Sequence, residues 1–138
     1  MPYWRMYCHL IWATKQREPT LVGDVVRTVD QSLRETAEDS NLAVHALYLM
    51  PDHVHLAVSI PPKLAIADVV SRFKGASSHQ VNHAETCEPQ RFAWQAEYGA
   101  VSFGEKQLPD VVAYIKNQQE RHAKSQLWDR VERINEPS

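Results

Sequence analysis

The sequence predicts an α+β fold: a four-stranded antiparallel sheet with two helices on one face and a further helix near the C-terminus. Three observations predict it. Strand-like and helical stretches follow one another in the order β-α-β-β-α-β-α. The turn between the second and third strands is as short as Met50-Pro51-Asp52, which implies an antiparallel hairpin. The chain has 138 residues, 43% hydrophobic and 23% charged, which suits one domain with a real core. Residues 1–138 are therefore expected to form a single domain, with 135–138 as a frayed tail.

Tyr3 to Thr14 is rich in aromatic and β-branched residues and reads as the first strand. Lys15 to Pro19 reads as a loop. From Val22, the residues Val22, Val26, Val29, Leu33 and Ala37 follow a helical stripe, and Asp24 is placed to cap or charge its start. Leu42 to Met50 is the second strand. Pro presets φ and Asp favours turns, so the chain reverses at Pro51-Asp52 and returns as a third strand, His53 to Ile60. Pro61 and Pro62 end that strand. Ile66, Val69, Val70 and Phe73 mark a second helix, running to about His83. Arg91 to Phe103 reads as a fourth strand, with Gly99 marking a bulge or break. Pro109 suits the first turn of a helix, expected over Asp110 to about Gln126. The first six elements spell the split β-α-β plan of ferredoxin-like (RRM-like) domains.

The bulk numbers exclude little. The formal net charge is -2 and the pI about 6.4, so the charge balance demands no nucleic-acid partner. Any such partner must be met by local basic clusters. Lys15 with Arg17, Arg72 with Lys74, and Lys116 with Arg121 and Lys124 offer them. Cys8 and Cys87 have no metal-type spacing and read as free thiols in a reducing cytosol. No apolar run approaches membrane-spanning length and the N-terminus lacks a signal-peptide plan. A cytoplasmic protein is expected.

One stretch stands out: L-M-P-D-H-V-H-L-A-V, Leu49 to Val58. A strand alternates its side chains, so His53 and His55 share one face while Val54, Leu56, Val58 and Ile60 take the other. The valine face should meet the two helices, leaving the histidines on the open face. There they stand about 7 Å apart at the backbone and can converge on one divalent ion. In the last helix, Tyr114 and Gln118 are four residues apart and share a face. Taken singly, each residue has a plainer reading: solvated histidines, a core-edge tyrosine, a solvated glutamine. Together they suggest a helix that docks over the open face and brings a third ligand, Gln118, and a nucleophile, Tyr114. Imidazoles beside an oxygen ligand suit Mg²⁺ or Mn²⁺ among other ions.

Five stretches carry a resemblance: H-L-I-W-A-T-K-Q-R-E-P-T-L (His9 to Leu21), L-M-P-D-H-V-H-L (Leu49 to Leu56), R-F-K-G-A-S-S (Arg72 to Ser78), F-A-W-Q-A-E-Y-G-A (Phe92 to Ala100) and Y-I-K-N-Q-Q-E-R-H (Tyr114 to His122). In order and spacing they resemble the single-tyrosine HUH transposases of small bacterial and archaeal insertion sequences, the IS200-like transposases. The resemblance implies that His53 and His55 are the metal-binding pair, Gln118 the third ligand and Tyr114 the nucleophile that cuts single-stranded DNA. It implies a divalent cofactor, Mg²⁺ or Mn²⁺. It also implies a 5′-phosphotyrosine intermediate with a released 3′-hydroxyl, recognition of imperfect hairpins at element ends, and a homodimer. Glu97 departs from the pattern, standing where a small residue is common.

Lys15, Arg17, Arg72 and Lys74 are the expected DNA-binding residues, through phosphate contacts that salt weakens. Trp12, Trp94 and Tyr98 offer rings for base stacking, with core packing the better assignment for the tryptophans. Two other readings remain open. One is a non-catalytic single-strand-binding module, since ferredoxin-like sheets bind such strands by stacking and charge. The other is a domesticated transposase-like nuclease acting on chromosomal repeats.

Overall fold

The first strand, β1 (Tyr7–Ala13), is buried along its whole length, and its two faces divide the molecule. Cys8, Leu10 and Trp12 enter one core, shared with the helices that follow. Tyr7, His9, Ile11 and Ala13 turn to the other side by strand alternation. These assignments come from a computed structural model that describes residues 4–84 and 92–118.

α1 (Gly23–Asp39) buries Val29, Leu33 and Ala37, the centre of the expected stripe. Val22 lies outside it, at the N-cap position and largely exposed. Asp24 does not cap. It sits in the first turn, where its charge opposes the helix dipole, and it pairs with Arg27. β2 (Ala43–Met50) and β3 (His53–Ser59) form the expected hairpin around Pro51-Asp52, with an irregularity between Val44 and Ala46. α2 (Ile66–Asn82) buries Val69, Val70, Phe73, Ser77 and Val81. β4 (Gly99–Phe103) and α3 (Leu108–Lys116) complete the described elements, with a proline at the first turn of α3.

The sheet order is β2-β3-β1-β4, and its three pairings are all antiparallel. This is the ferredoxin-like arrangement. α1 and α2 pack on each other and, with one sheet face, enclose Leu10, Trp12, Leu33, Val54, Leu56 and Phe73. α3 packs on the opposite face, against β2 and β3. A second, smaller cluster forms there from Ala46, Ala57, Val111, Tyr114 and Ile115. The sheet face that carries the histidines is therefore covered. No described helix is long and apolar enough to cross a membrane.

Three expectations are corrected. The fourth strand is Gly99–Phe103, not Arg91 to Phe103; Arg91 itself lies outside the described residues. Residues 92–98 form no strand, and Trp94 makes only an isolated bridge to Thr14. The aromatic run there reflects packing, which propensity scales do not separate from strand pairing. Phe92 and Trp94 meet edge-to-face at 4.8 Å between centroids, and side chains of α2 hold the segment. Gly99 opens β4 and does not interrupt it. The last helix runs Leu108–Lys116; the expected continuation toward Gln126 lies outside the described residues beyond 118, as does Cys87. The expected loop at Lys15 is a short 3-10 turn, Lys15–Arg17, with Gln16 and Arg17 in left-handed backbone at φ 56° and 53°. Two successive non-glycine residues there are unusual, and the strain needs local contacts to hold it.

Candidate active site

β3 leaves the Pro51-Asp52 turn directly at His53, so the hairpin fixes where the first histidine stands. The register then places His53 opposite Ala13 and His55 opposite Ile11 on β1. Both imidazoles are buried, at 2% and 0% exposure. Their Nε2 atoms lie 3.1 Å apart. Two nitrogens on adjacent positions of one octahedral ion are separated by about 3 Å, given ligand distances near 2.1 Å.

The other ring nitrogens are engaged. His53 Nδ1 lies 2.6 Å from Asp52 Oδ1 and 3.4 Å from Arg17 Nη2. The shorter contact decides the tautomer: Nδ1 carries hydrogen and donates to the carboxylate, leaving Nε2 its lone pair. Arg17 instead donates through Nε to Asp52 Oδ2, at 3.3 Å. The hydrogen bond from His53, together with the Arg17 guanidinium, holds the Asp52 carboxyl below the usual carboxylate range, against the opposing effect of burial. His55 Nδ1 lies 3.0 Å from His9 Nε2. When His55 donates in that contact, its Nε2 is also left with a lone pair. One imidazole is thus oriented by a carboxylate and the other by a third histidine.

α3 closes the site. Tyr114 is 3% exposed, and its ring stands edge-on to both His9 and His55, each at 6.1 Å between centroids. Gln118, just beyond the helix, is fully buried. Neither its Oε1 nor its Nε2 has a hydrogen-bond partner among the described residues. Burying an amide in this way costs free energy unless something supplies the missing bond. Among the described residues no three His, Cys, Asp or Glu side chains are grouped to hold a metal. An ion here would take two imidazole nitrogens and an amide oxygen, and Gln118 offers that oxygen. The residues present fit a divalent cation.

His53, His55 and Tyr114 are buried on the α3 side of the sheet, and Gln118 is buried just after α3. The four expected DNA-binding residues stand in different surroundings. Lys15 and Arg72 are exposed. Arg17 is half-buried against Asp52. Lys74 spends its ammonium on the chain itself, donating to the carbonyls of Gln95, Ala96 and Glu97 at 2.7, 3.2 and 3.0 Å. Burial lowers its pKa, with Glu97 acting in the opposite direction. Trp12 is core, stacked on Phe73 at 6.0 Å, and Trp94 packs edge-on to it.

Sequence reasoning did not single out His9 or Asp52. A signal existed for both. His9 alternates with the core residues Cys8 and Leu10, so it had to lie on the other face, and Asp52 immediately precedes the first histidine.

Comparison with known proteins bears on the whole of this constellation. The family model described as "Transposase IS200 like" matches residues 2–118, a span that contains His53, His55, Tyr114 and Gln118. The chain is 33% identical to the ISDra2 transposase TnpA of Deinococcus radiodurans over 117 residues, 82% of this chain and 84% of that protein. It is 28% identical over 121 residues to the transposase for insertion sequence element IS200 of Salmonella typhimurium, covering 85% and 79% of the two chains. A crystal structure of a transposase-like protein from Deinococcus radiodurans R1 superposes with a TM-score of 0.69 at 33% identity, over 85% of this chain and 93% of that one. A REP-associated tyrosine transposase bound to a REP hairpin shares the fold, with a TM-score of 0.64 at 15% identity over 91% of this chain and 74% of that one. The chain belongs to the IS200-like transposase family.

Proposed function

We propose that this transposase cleaves and rejoins single-stranded DNA at the ends of its element, with Tyr114 as nucleophile. What supports the reading is that the paired Nε2 atoms and the Tyr114 ring meet under α3, and that Gln118, two residues beyond that helix, is buried with an unpartnered amide. His53, His55 and Gln118 would hold a divalent cation, Mg²⁺ or Mn²⁺, which when bound polarises the scissile phosphodiester as a Lewis acid.

The protein's own steps are few. The phenolic oxygen of Tyr114 attacks phosphorus, and the P–O3′ bond breaks. The 5′-phosphate stays on the tyrosine, and the departing 3′-oxygen takes up a proton in place of the one the phenol gives up. One phosphodiester replaces another, so no nucleotide is consumed. A 3′-hydroxyl from a second strand reverses the step and joins the ends. Asp52 and His9 act through the two imidazoles, holding each with its Nε2 available.

Tyr114 and both histidines are almost fully buried, so a DNA phosphate reaches them only when α3 shifts from the sheet. A homodimer provides for this if the tyrosine helix of one subunit serves the site of the other. Imperfect hairpins at the element ends are the proposed substrates, and the exposed Lys15 and Arg72 the proposed phosphate contacts. The test is cleavage of a single strand carrying the element's own ends. Wild-type protein should cut it with Mn²⁺ or Mg²⁺ and stop on chelation, while Tyr114→Phe should bind it and leave it whole. Cutting that persists in chelator would overturn the metal assignment.

A further inference from the structure

A cleft of about 450 Å³ lies between α2 and residues 92–98. It is within the range of roughly 300–1,000 Å³ typical of small-ligand sites. None of its lining residues belongs to the histidine and tyrosine site, which lies across the sheet.

Its walls are held from several directions. Lys74 binds three successive carbonyls at 95–97. Asn82 makes a reciprocal pair with the backbone of Phe92, at 2.9 and 2.7 Å. The Trp94 indole donates to Ser77 Oγ at 2.9 Å. Backbone bonds from Lys15 to Ala93 and from Gln95 to Ala13 tie the segment to the end of β1. A segment with no regular structure is thereby fixed in place, and a preformed cleft loses little entropy on binding.

Three features of the lining point to one kind of ligand. The Tyr98 ring is half-buried and offers an aromatic surface, with the Lys74 ammonium 5.9 Å from its centroid. Gln95 Oε1 is buried with no hydrogen-bond partner among the described residues. Gly75 leaves the α2 wall open, since a Cβ built there meets nothing within 4 Å. A flat aromatic surface beside an unmet acceptor suits a planar ligand with an N–H edge. A phosphate is disfavoured, because Lys74 has its three N–H groups committed to carbonyls.

We propose that this cleft holds one unstacked nucleobase of the DNA strand. Tyr98 is the stacking surface, and Gln95 Oε1 accepts from an exocyclic amine or ring N–H of the base. That the base belongs to a DNA substrate rests on the proposed function; that the cleft binds a base does not.

The test is a ¹H–¹⁵N NMR titration of the wild-type protein with each of the four 2′-deoxynucleosides. These probes carry no phosphate and cannot be cleaved, so the outcome is independent of Tyr114 chemistry. At least one should shift the Gly75 amide and the Gln95 side-chain amide together. Gly75→Leu should fill the cleft, keep a folded spectrum and weaken binding by about tenfold or more. Gln95→Leu should weaken it too, and Gln95→Glu, which retains an acceptor, should do so less. Absence of shifts at these positions with all four nucleosides would overturn the proposal, as would unchanged binding by folded Gly75→Leu. A Tyr114 that forms no DNA adduct would count against the proposed function and leave the cleft assignment standing.

Discussion

His9 Nε2 lies 3.0 Å from His55 Nδ1, across the pairing of β1 with β3. The two residues are 46 positions apart in the chain and meet only through the sheet. The contact occupies the nitrogen of His55 that faces away from His53. When His55 donates in that contact, its Nε2 is left with a lone pair beside the Nε2 of His53.

Replacing His9 should therefore damage metal binding without touching a ligand. His9→Phe fills similar space and removes the hydrogen bond. The expected loss of Mn²⁺ affinity is about 10–100-fold, the usual cost of removing a group that orients a metal ligand. Calorimetric titration with Mn²⁺ checks it, and unchanged affinity would show that His9 serves packing alone.

Asp52 predicts a pH dependence. Its carboxyl is held below its ordinary value of 3.8 by the His53 hydrogen bond and by the Arg17 guanidinium. A lowered carboxylate pKa means that the folded state favours the ionised form. The stabilisation is present above the unfolded value and is lost as pH falls through the folded one. Asp52→Asn should lower stability by about 1–2 kcal/mol at neutral pH. The difference in Tm between wild type and variant should hold steady near neutrality and shrink below pH 3.8. A difference that grew on acidification would contradict the assignment.

Lys74 and Lys15 should behave differently although both were expected to bind DNA. Lys74 donates to three carbonyls, so Lys74→Met leaves acceptors unmet and should destabilise the fold by about 1–3 kcal/mol. The slope of log K against log salt for single-stranded DNA should change little. Lys15 is exposed, and Lys15→Ala should leave Tm unchanged while reducing that slope by about 0.7, the value for one phosphate contact on a single strand. Salt-dependent binding and thermal melts on the two variants check both halves.

Gly75 lies within α2 with free space around its missing Cβ. Gly75→Ala should therefore stabilise the protein by up to about 1 kcal/mol, the helix-propensity difference. A thermal melt reads this directly. A fall in Tm would mean that the glycine is needed for close packing and that the space is not available to a ligand.

Much of this arrangement was legible in the sequence, because its determinants are local. The Pro51-Asp52 turn fixed the hairpin, and alternation along β3 separated His53 and His55 from Val54 and Leu56. The spacing of Tyr114 and Gln118 suggested one helical face; α3 ends at Lys116, and both residues are buried. What the sequence left hidden depends on pairing between distant segments. His9 joins His55 only through the β1–β3 register, which no local pattern encodes. Residues 92–98 carry strand-like composition, yet their partners are Lys74, Asn82 and the end of β1. Lys74 looks like any basic surface residue until the carbonyls around it are known. Asp52 was legible as a turn former, while its bond to the adjacent imidazole depends on the strand start and on Arg17.

The most direct test of the central claim is a covalent trap. Wild-type protein is mixed with a single-stranded oligonucleotide carrying an element end and Mn²⁺, denatured, digested with trypsin and read by mass spectrometry. The tryptic peptide 107–116 contains one tyrosine, Tyr114. The account predicts a metal-dependent 5′-phosphonucleotide adduct on that peptide, absent from His55→Ala. Cleaved DNA without an adduct on Tyr114, or cleavage by Tyr114→Phe at the wild-type rate, would contradict it.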